Sequence, residues 1–195
     1  MCGRFMVDDT VWAEVERLTK WLDRNMLKNG DCFPGQQILV LRKSALKGEF
    51  TPCMAHWGYP GYGSGRQLIN ARSETVRQKP AFRADFEWRR CVIPARGFYE
   101  WNSRKEKFYF TGDVPVLYLA GIFSNDPEKE CVTILTAQAN AAMQPVHDRM
   151  PLLIPEKELD RWMADTKWAA QFLRETPPLL KREKEKDDYE QLSLL

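Results

Sequence analysis

The sequence lacks a long hydrophobic run and lacks paired cysteines. No apolar segment reaches about 18 residues, the length that a transmembrane helix needs. The opening MCGRFMVDD turns acidic where a secretory signal would be apolar. The five cysteines are an odd number with no Cys-x-x-Cys spacing, which argues against a disulfide framework and a zinc module. We therefore expect a reduced, soluble, cytoplasmic protein.

The sequence also lacks a large net charge. It has 29 Lys and Arg residues against 27 Asp and Glu residues, a net charge of +2, so the balance alone does not indicate a nucleic-acid binder. The distribution is uneven, because the segment from Arg66 to Arg96 has eight basic residues and three acidic ones. This basic segment either meets phosphates or forms a solvated charged face.

The apolar content predicts a single packed domain. Of the 195 residues, 44% are hydrophobic, enough for a sizeable core. Helical spacing predicts helices over 9–24, 79–90 and 154–175. β-branched and aromatic runs predict strands over 36–43, 50–58, 90–101, 107–112, 114–123 and 130–139. The pattern predicts an α+β fold, a β-rich single domain with a barrel-like antiparallel or mixed sheet flanked by helices.

Two short motifs carry polar side chains in extended segments. In LINARSET, period-two alternation places Asn70 and Arg72 on one face, a pair that suits an oxygen-rich ligand such as a sugar phosphate. The structural alternative is a loop-capping Asn at a strand end. In GFYEW, alternation places Glu100 with Phe98, and a carboxylate among aromatics is harder to ionise, as a general acid requires. The alternative is that Glu100 faces solvent or pairs with an arginine.

A third motif, PVHDRMP, holds His147 in an irregular, proline-bounded segment after a strand. Loops on a rigid scaffold often supply catalytic groups, and imidazole exchanges protons near pH 7. A structural histidine is the alternative. The only other histidine, His56, lies within a predicted strand and has the character of a structural residue.

The fourth motif is the opening MCGRF. If Met1 is removed, Cys2 carries an α-amine and a thiol on adjacent carbons. An α-amine with a pKa of about 7.7–8.0 is roughly a quarter to a third unprotonated at pH 7.5, so it forms an imine with an aldehyde without special burial. The neighbouring thiol then adds to the imine and closes a five-membered thiazolidine.

The motifs MCGRF, INARSET, RRCVIPARGFYEW and HDRMP occur in this order between residues 1 and 151. Together they resemble the SRAP family (SOS response-associated peptidase), whose members crosslink to abasic sites in single-stranded DNA. The resemblance implies a SRAP domain over 1–180, followed by a charged, mobile tail over 181–195. It further implies an abasic-site sensor and shield, with lyase-type chemistry, self-reversal and autoproteolytic removal of Met1 as associated activities.

The resemblance also implies roles for individual residues. Cys2 becomes the nucleophile that forms a thiazolidine with the ring-opened deoxyribose aldehyde, and Asn70 holds the sugar or the new ring. Glu100 moves protons during ring opening, imine formation and reversal, while His147 assists ring opening and β-elimination. The expected phosphate contacts are Arg4, Arg72 and Arg149, and the weaker candidates for lining or wedging the strand are Pro34, Trp57 and Trp101.

One departure from the family pattern concerns the stacking surface. Family members commonly carry a second Trp after a WGL-P segment, whereas this chain reads WGYPGYGSG. The expected partner is single-stranded DNA containing abasic sites, bound by a monomer that becomes nucleoid-associated on DNA. We expect no metal, no organic cofactor and no membrane, and replication-fork proteins are left open as partners.

Two other functional classes fit the same residues. An N-terminal-nucleophile or cysteine hydrolase would use Cys2 with His147 as its base and act on a peptide or amide. A non-enzymatic single-strand binder would need the arginines and aromatics but not Cys2.

Overall fold

The computed structural model describes residues 2–20, 22–23, 26, 28–43, 48–61, 65, 67–124, 126 and 129–185. The helices are α1 (Asp9–Thr19), α2 (Pro80–Trp88), α3 (Leu159–Ala164) and α4 (Thr166–Phe172). The strands are β1 (Phe5–Val7), β2 (Gly30–Cys32), β3 (Gln37–Lys43), β4 (Phe50–Trp57), β5 (Tyr59–Pro60), β6 (Gln67–Leu68), β7 (Asn70–Arg72), β8 (Arg90–Ala95), β9 (Gly97–Trp101), β10 (Lys107–Thr111), β11 (Leu117–Phe123), β12 (Cys131–Gln138), β13 (Arg149–Pro151) and β14 (Lys181–Lys184).

A closed ring of strands forms the centre of the described fold. The strands pair in the order β11-β8-β3-β4-β12, and a further pairing of β11 with β12 closes the ring. β12 continues past the ring, where it pairs with β7 in parallel and with β13 antiparallel. The predicted α+β fold with a barrel-like sheet is therefore confirmed.

A second, antiparallel sheet lies against the ring in the order β14-β10-β9-β1-β2. β1 is an interior strand of this sheet, since it pairs with β2 on one edge and β9 on the other. The ring of Phe5 in β1 packs at 5.2 Å from the ring of Trp57 in β4, which joins the sheet to the barrel. Both side chains are almost fully buried, so the contact lies in the core.

The helices are shorter than the sequence pattern predicts. α1 ends at Thr19, because Lys20 adopts a left-handed conformation with φ of 57° and its N–H bonds to the carbonyl of Glu16. The long helix predicted over 154–175 is instead a 3₁₀ turn over Glu156–Glu158 followed by α3 and α4. Asp165 makes this break, since its backbone is extended and its side chain accepts from the N–H of Trp168 to cap α4.

The predicted boundary of the tail at residue 181 needs a correction. Residues Lys181–Lys184 form β14, which pairs with β10 along its whole length. The backbone N–H of Glu185 also bonds to the carbonyl of Lys107, so the ordered domain extends to residue 185. The rest of the predicted tail, 186–195, lies outside the described residues. No helix in the described part of the chain is long and apolar enough to cross a membrane.

Candidate active site at Cys2

Cys2 lies just before β1, in the contact region between the second sheet and the barrel. Its side chain is fully buried, and its thiol lies 3.9 Å from the carbonyl oxygen of Arg4. Burial, followed by the negative charge of Glu100, raises the pKa of the Cys2 thiol to about 12. The thiol is therefore protonated at neutral pH in this structure.

Asn70 ties strand β7 to Cys2. Its side-chain amide Nδ2 donates a hydrogen bond of 2.9 Å to the backbone carbonyl oxygen of Cys2. Its Oδ1 is buried and has no hydrogen-bond partner among the described residues. The preceding carbonyl, that of Ile69, accepts from both Trp57 Nε1 and the backbone N–H of Ile134, so the barrel fixes where Asn70 points.

Glu100 is a buried carboxylate next to this cluster. It lies on β9, where Phe98 and Glu100 both point inward, and it is 4% exposed. The sequence prediction of an inward Glu100 is confirmed, and the alternative of a solvent-facing side chain is wrong. Its charge acts on the Cys2 thiol, so the structure brings Cys2, Asn70 and Glu100 together.

His147 lies beside the opposite edge of β12 from Asn70, and its Nδ1 contacts neighbours in its own segment, Asp148 and Arg149. It precedes β13, which pairs with one edge of β12, whereas the β7 strand of Asn70 pairs with the other. Its Nδ1 accepts the backbone N–H of Arg149 at 2.9 Å and lies 2.8 Å from Asp148 Oδ1. A backbone donor and a carboxylate oxygen therefore both face Nδ1 of His147.

Asn140 stabilises the turn that carries His147. The sequence pattern does not identify this residue. Asn140 Oδ1 accepts from the backbone N–H groups of Ala142 and Met143, both at 3.1 Å. Its Nδ2 donates to the carbonyls of Pro177 and Pro178 at 3.1 and 2.6 Å. An Asn seven residues before a proline-bounded His is the only sequence signal for these hydrogen bonds.

Arg4 and Arg149, two of the predicted phosphate contacts, are held by carboxylates. Arg4 donates through Nε and Nη2 to Asp31, which leaves Nη1 without a hydrogen-bond partner among the described residues. Arg149 is buried, and its Nη1 and Nη2 donate to Glu74 and to the carbonyl of Thr136. The described contacts of Arg149 are structural, because they join β13 to β12 and to the INARSET motif. Sequence reasoning missed both acidic partners.

The basic segment from 66 to 96 divides into structural and exposed arginines. Arg90 is buried and donates to four backbone carbonyls, while Arg89 pairs with Asp85.

Arg72, Lys79 and Arg83 are exposed, and their side chains have no ion-pair or hydrogen-bond partner in the described residues. A groove of about 800 Å³ opens beside Arg83, and its lining is mixed in charge, with Arg77, Arg83 and Arg174 beside Glu74, Glu87 and Glu175.

The three predicted strand-lining residues have different positions. Trp57 is fully buried, packs against Phe5 and donates to the carbonyl of Ile69, so the prediction that it lines DNA is wrong. Trp101 is 36% exposed at the end of β9, and Pro34 is half-buried in the turn after β2. No group of three or more potential metal ligands occurs in the residues that the structure describes.

The fold and the cluster around Cys2 define an α+β barrel domain with its candidate site at the chain's second residue. Residues 1–190 match the family described as SOS response associated peptidase (SRAP). The chain belongs to the SRAP family.

Curated relatives and a solved structure agree with this assignment. The abasic site processing proteins YoqW and YobE of Bacillus subtilis are 29% and 32% identical to this chain over 187 residues each, covering 84% of this chain and 80% and 82% of theirs. A crystal structure of a Bacteroides thetaiotaomicron protein superposes with a TM-score of 0.79 at 19% identity, covering 97% of this chain and 94% of that one. This last similarity is one of fold.

Proposed function

We propose that this protein processes abasic sites in single-stranded DNA by forming a covalent crosslink through Cys2. The observation that carries the proposal is the convergence of Cys2, Asn70 and Glu100 in one buried cluster. The relatives named abasic site processing proteins support the substrate. Removal of Met1 converts Cys2 from a buried thiol into an aminothiol, because its nitrogen then becomes a free amine.

The crosslink forms in two steps, imine formation and ring closure, which together release one water. The ring-opened deoxyribose presents an aldehyde, and the Cys2 amine attacks its carbonyl carbon to give a carbinolamine. Loss of water from this adduct gives the imine. The thiol sulfur then bonds to the imine carbon while its proton passes to the nitrogen, which closes the thiazolidine. Because the amine and thiol share one residue, the second step is intramolecular and fast.

This chemistry requires that Cys2 is held in place and that a nearby group transfers protons. Asn70 meets the first requirement and Glu100 the second. Asn70 Nδ2 holds the Cys2 carbonyl, and the unpartnered Oδ1 is available to accept from the sugar or from the thiazolidine N–H. The Glu100 carboxylate takes the proton that the attacking amine nitrogen releases and delivers it to the departing hydroxyl of the carbinolamine, and in reversal it carries the proton the other way. His147 assists ring opening and the β-elimination that cleaves the strand.

The strand binds through phosphate contacts that do not read sequence. Arg72 lies two residues after Asn70 on the same strand, so it meets a phosphate next to the lesion. Arg83 and Lys79 continue the basic surface, and Arg4 offers its Nη1. An aldehyde is rare in DNA, so an aminothiol that reacts only with aldehydes confers lesion selectivity without base readout.

The test uses purified protein whose intact mass shows loss of Met1. It is incubated with a labelled single-stranded oligonucleotide that carries one abasic site, and the products are separated under denaturing conditions. We expect a protein–DNA band with the mass of both components less one water, formed without a reducing agent. Cys2→Ala abolishes the band, and Cys2→Ser nearly does because oxygen closes the ring poorly.

Cys53→Ala is the matched control, since Cys53 is a free cysteine elsewhere in the chain. This variant retains the crosslink. The proposal is wrong if wild-type protein of verified mass gives no covalent band. In that case, Cys2-dependent amide hydrolysis would support a hydrolase, and salt-sensitive binding that Cys2→Ala leaves unchanged would support a simple binder.

A further inference from the structure

Three side chains stack in a row on the outer face of the second sheet, which is the face opposite Phe98 and Glu100. Tyr99 is buried there, while Arg4 and Phe33 reach solvent. The guanidinium carbon of Arg4 lies 5.0 Å from the ring centroid of Phe33 and 4.9 Å from that of Tyr99. The register explains the row, because Phe5 pairs with Cys32 and Phe98, which sets Arg4 between Phe33 and Tyr99. Arg4 is thus held by two rings and by Asp31, and it does not sample other rotamers freely.

A rigid turn presents Phe33 at the end of this row. In the segment 33–36, the N–H of Gln36 bonds to the carbonyl of Phe33 at 3.2 Å, and Gly35 has φ of 86°. Pro34 followed by a positive-φ Gly is the signature of a type II turn. The N–H of Gly35 and the carbonyl of Gln36 both bond to the backbone of Trp57, so the turn is fixed to the barrel.

Phe33 is exposed in spite of this rigidity. Its side chain is 40% exposed, one of the few large apolar side chains that reach solvent in the described residues. Trp101 is also exposed, and it lies two residues beyond Tyr99 on β9, on the same outer face. Cys2 is two residues before Arg4. The backbone of Arg4 is therefore within about 7 Å of that of Cys2, and the row that includes Arg4 ends at an exposed ring.

We propose that Phe33 is a stacking platform for a nucleobase of single-stranded DNA next to the abasic site. Arg4 covers one face of the Phe33 ring, so the base stacks on the remaining exposed part while Arg4 Nη1 meets the adjoining phosphate. This assignment rests on the proposed function for the identity of the strand. It also gives the strand an aromatic surface in a chain that has Tyr and Gly after Trp57 and whose Trp57 is buried.

A fixed aromatic ring binds a base at low entropic cost, because no rotamer freedom is lost on binding. Base–aromatic stacking is tolerant of sequence, since every base has a π-face. Removal of one such ring weakens binding by about tenfold or more. The dependence of affinity on salt stays the same, because no phosphate contact is lost.

The experiment measures binding of a single strand that carries a tetrahydrofuran analogue, which has no aldehyde and cannot crosslink. A 2-aminopurine beside the analogue reports stacking through quenching of its fluorescence. We expect Phe33→Ala to weaken binding about tenfold and to remove most of the quenching, and Phe33→Tyr to restore both. Phe33→Leu, which keeps an apolar side chain without a π-face, restores neither.

Trp88→Ala is the matched control, because Trp88 is an exposed aromatic residue at the end of α2, 82% exposed and outside the row. It leaves binding and quenching unchanged. The assignment of Phe33 fails if Phe33→Ala binds and quenches like the wild type, or if the wild type does not bind the strand.

The two proposals fail separately. A wild type that binds the analogue in a Phe33-dependent way but forms no crosslink with a natural abasic site overturns the crosslinking proposal alone. A wild type that crosslinks normally, with a Phe33→Ala variant that matches it in affinity and quenching, overturns the stacking assignment alone.

Discussion

The side-chain amide of Asn70 donates a 2.9 Å hydrogen bond to the backbone carbonyl of Cys2, joining residues that are 68 positions apart. The bond fixes the candidate nucleophile to β7, and β7 is fixed to β12 of the barrel. The first residues of the chain therefore share the rigidity of the core. Substitution of Asn70 is therefore the most direct way to change the geometry of Cys2.

We predict that Asn70→Ala slows crosslinking by roughly tenfold or more, because loss of a hydrogen bond that orients the reacting group costs about 1–3 kcal/mol. Asn70→Asp slows it further, since a carboxylate cannot donate to the Cys2 carbonyl and adds a negative charge beside the thiol. Single-turnover rates at saturating DNA measure the effect. Asn29→Ala, a change at an Asn bonded to Trp12 and Asp9, is the control and retains the wild-type rate.

We predict that the protein loses stability as the pH rises above 9. Burial raises the pKa of the Cys2 and Cys32 thiols to about 12 and that of Cys53 to about 11, from an ordinary value of 9.0. The unfolded chain then releases protons that the folded chain retains. The free energy of unfolding falls by about 1.4 kcal/mol per pH unit for each such thiol, and all of this stability is present below pH 9.

Urea unfolding with reductant at pH 8.5 and pH 10 measures this loss. Cys53→Ala removes one of the titrating thiols, so its free energy of unfolding falls less steeply over the same interval. Equal stability of the wild type at the two pH values would contradict the assignment of buried, protonated thiols.

We predict that Arg72 contributes to DNA binding, whereas Arg149 contributes to the stability of the fold. Arg72→Ala weakens binding to undamaged single-stranded DNA and lowers the slope of log affinity against log salt by about 0.7, the value for one lost phosphate contact. Titrations at several salt concentrations measure this slope. An unchanged slope would remove Arg72 from the phosphate contacts.

Arg149→Ala instead destabilises the fold, by about 2 kcal/mol. This figure lies below that for a fully buried ion pair, because the Glu74 side chain is 43% exposed. The Arg149 hydrogen bond also lowers the pKa of Glu74, so this stability is present above the ordinary Glu pKa and is lost on acidification. Urea unfolding at pH 7 and pH 4 checks both statements, and a stable Arg149→Ala would refute the structural role.

We predict that Asn140 controls the turn that carries His147. Asn140→Ala removes hydrogen bonds to four backbone groups and lowers the free energy of unfolding by about 1–3 kcal/mol. Asn140→Asp keeps the two bonds within the turn and loses only those to Pro177 and Pro178. If His147 assists strand cleavage, Asn140→Asp slows cleavage more than crosslinking. An equal effect on both would assign Asn140 to stability alone.

The sequence pattern predicts the barrel strands well because they are long, apolar and bounded by turn residues. It predicts the inward Glu100 because Glu100 stands two residues after Phe98 on β9, and both side chains are buried. β1 is missed because three residues carry too short a pattern, and its pairing with β9 is set by tertiary contacts. Trp57 is misassigned because exposure cannot be read from residue type: an aromatic residue in a strand is core or platform depending on its neighbours.

Phe33 and Asn140 illustrate what only three-dimensional contacts reveal. The register of the strands places Phe33 beside Arg4. The carbonyls of Pro177 and Pro178, which are distant in the chain, accept hydrogen bonds from Asn140. Neither contact produces a local sequence pattern from which it could be predicted.

The interior position of β1 has a consequence for how the site forms during synthesis. β1 pairs with β9, which ends at Trp101, so nearly a hundred residues must leave the ribosome before the ladder beside Cys2 closes. Until then the first residues of the nascent chain are open to the enzymes that process new N-termini. The N-terminus is therefore exposed early in synthesis and enclosed late.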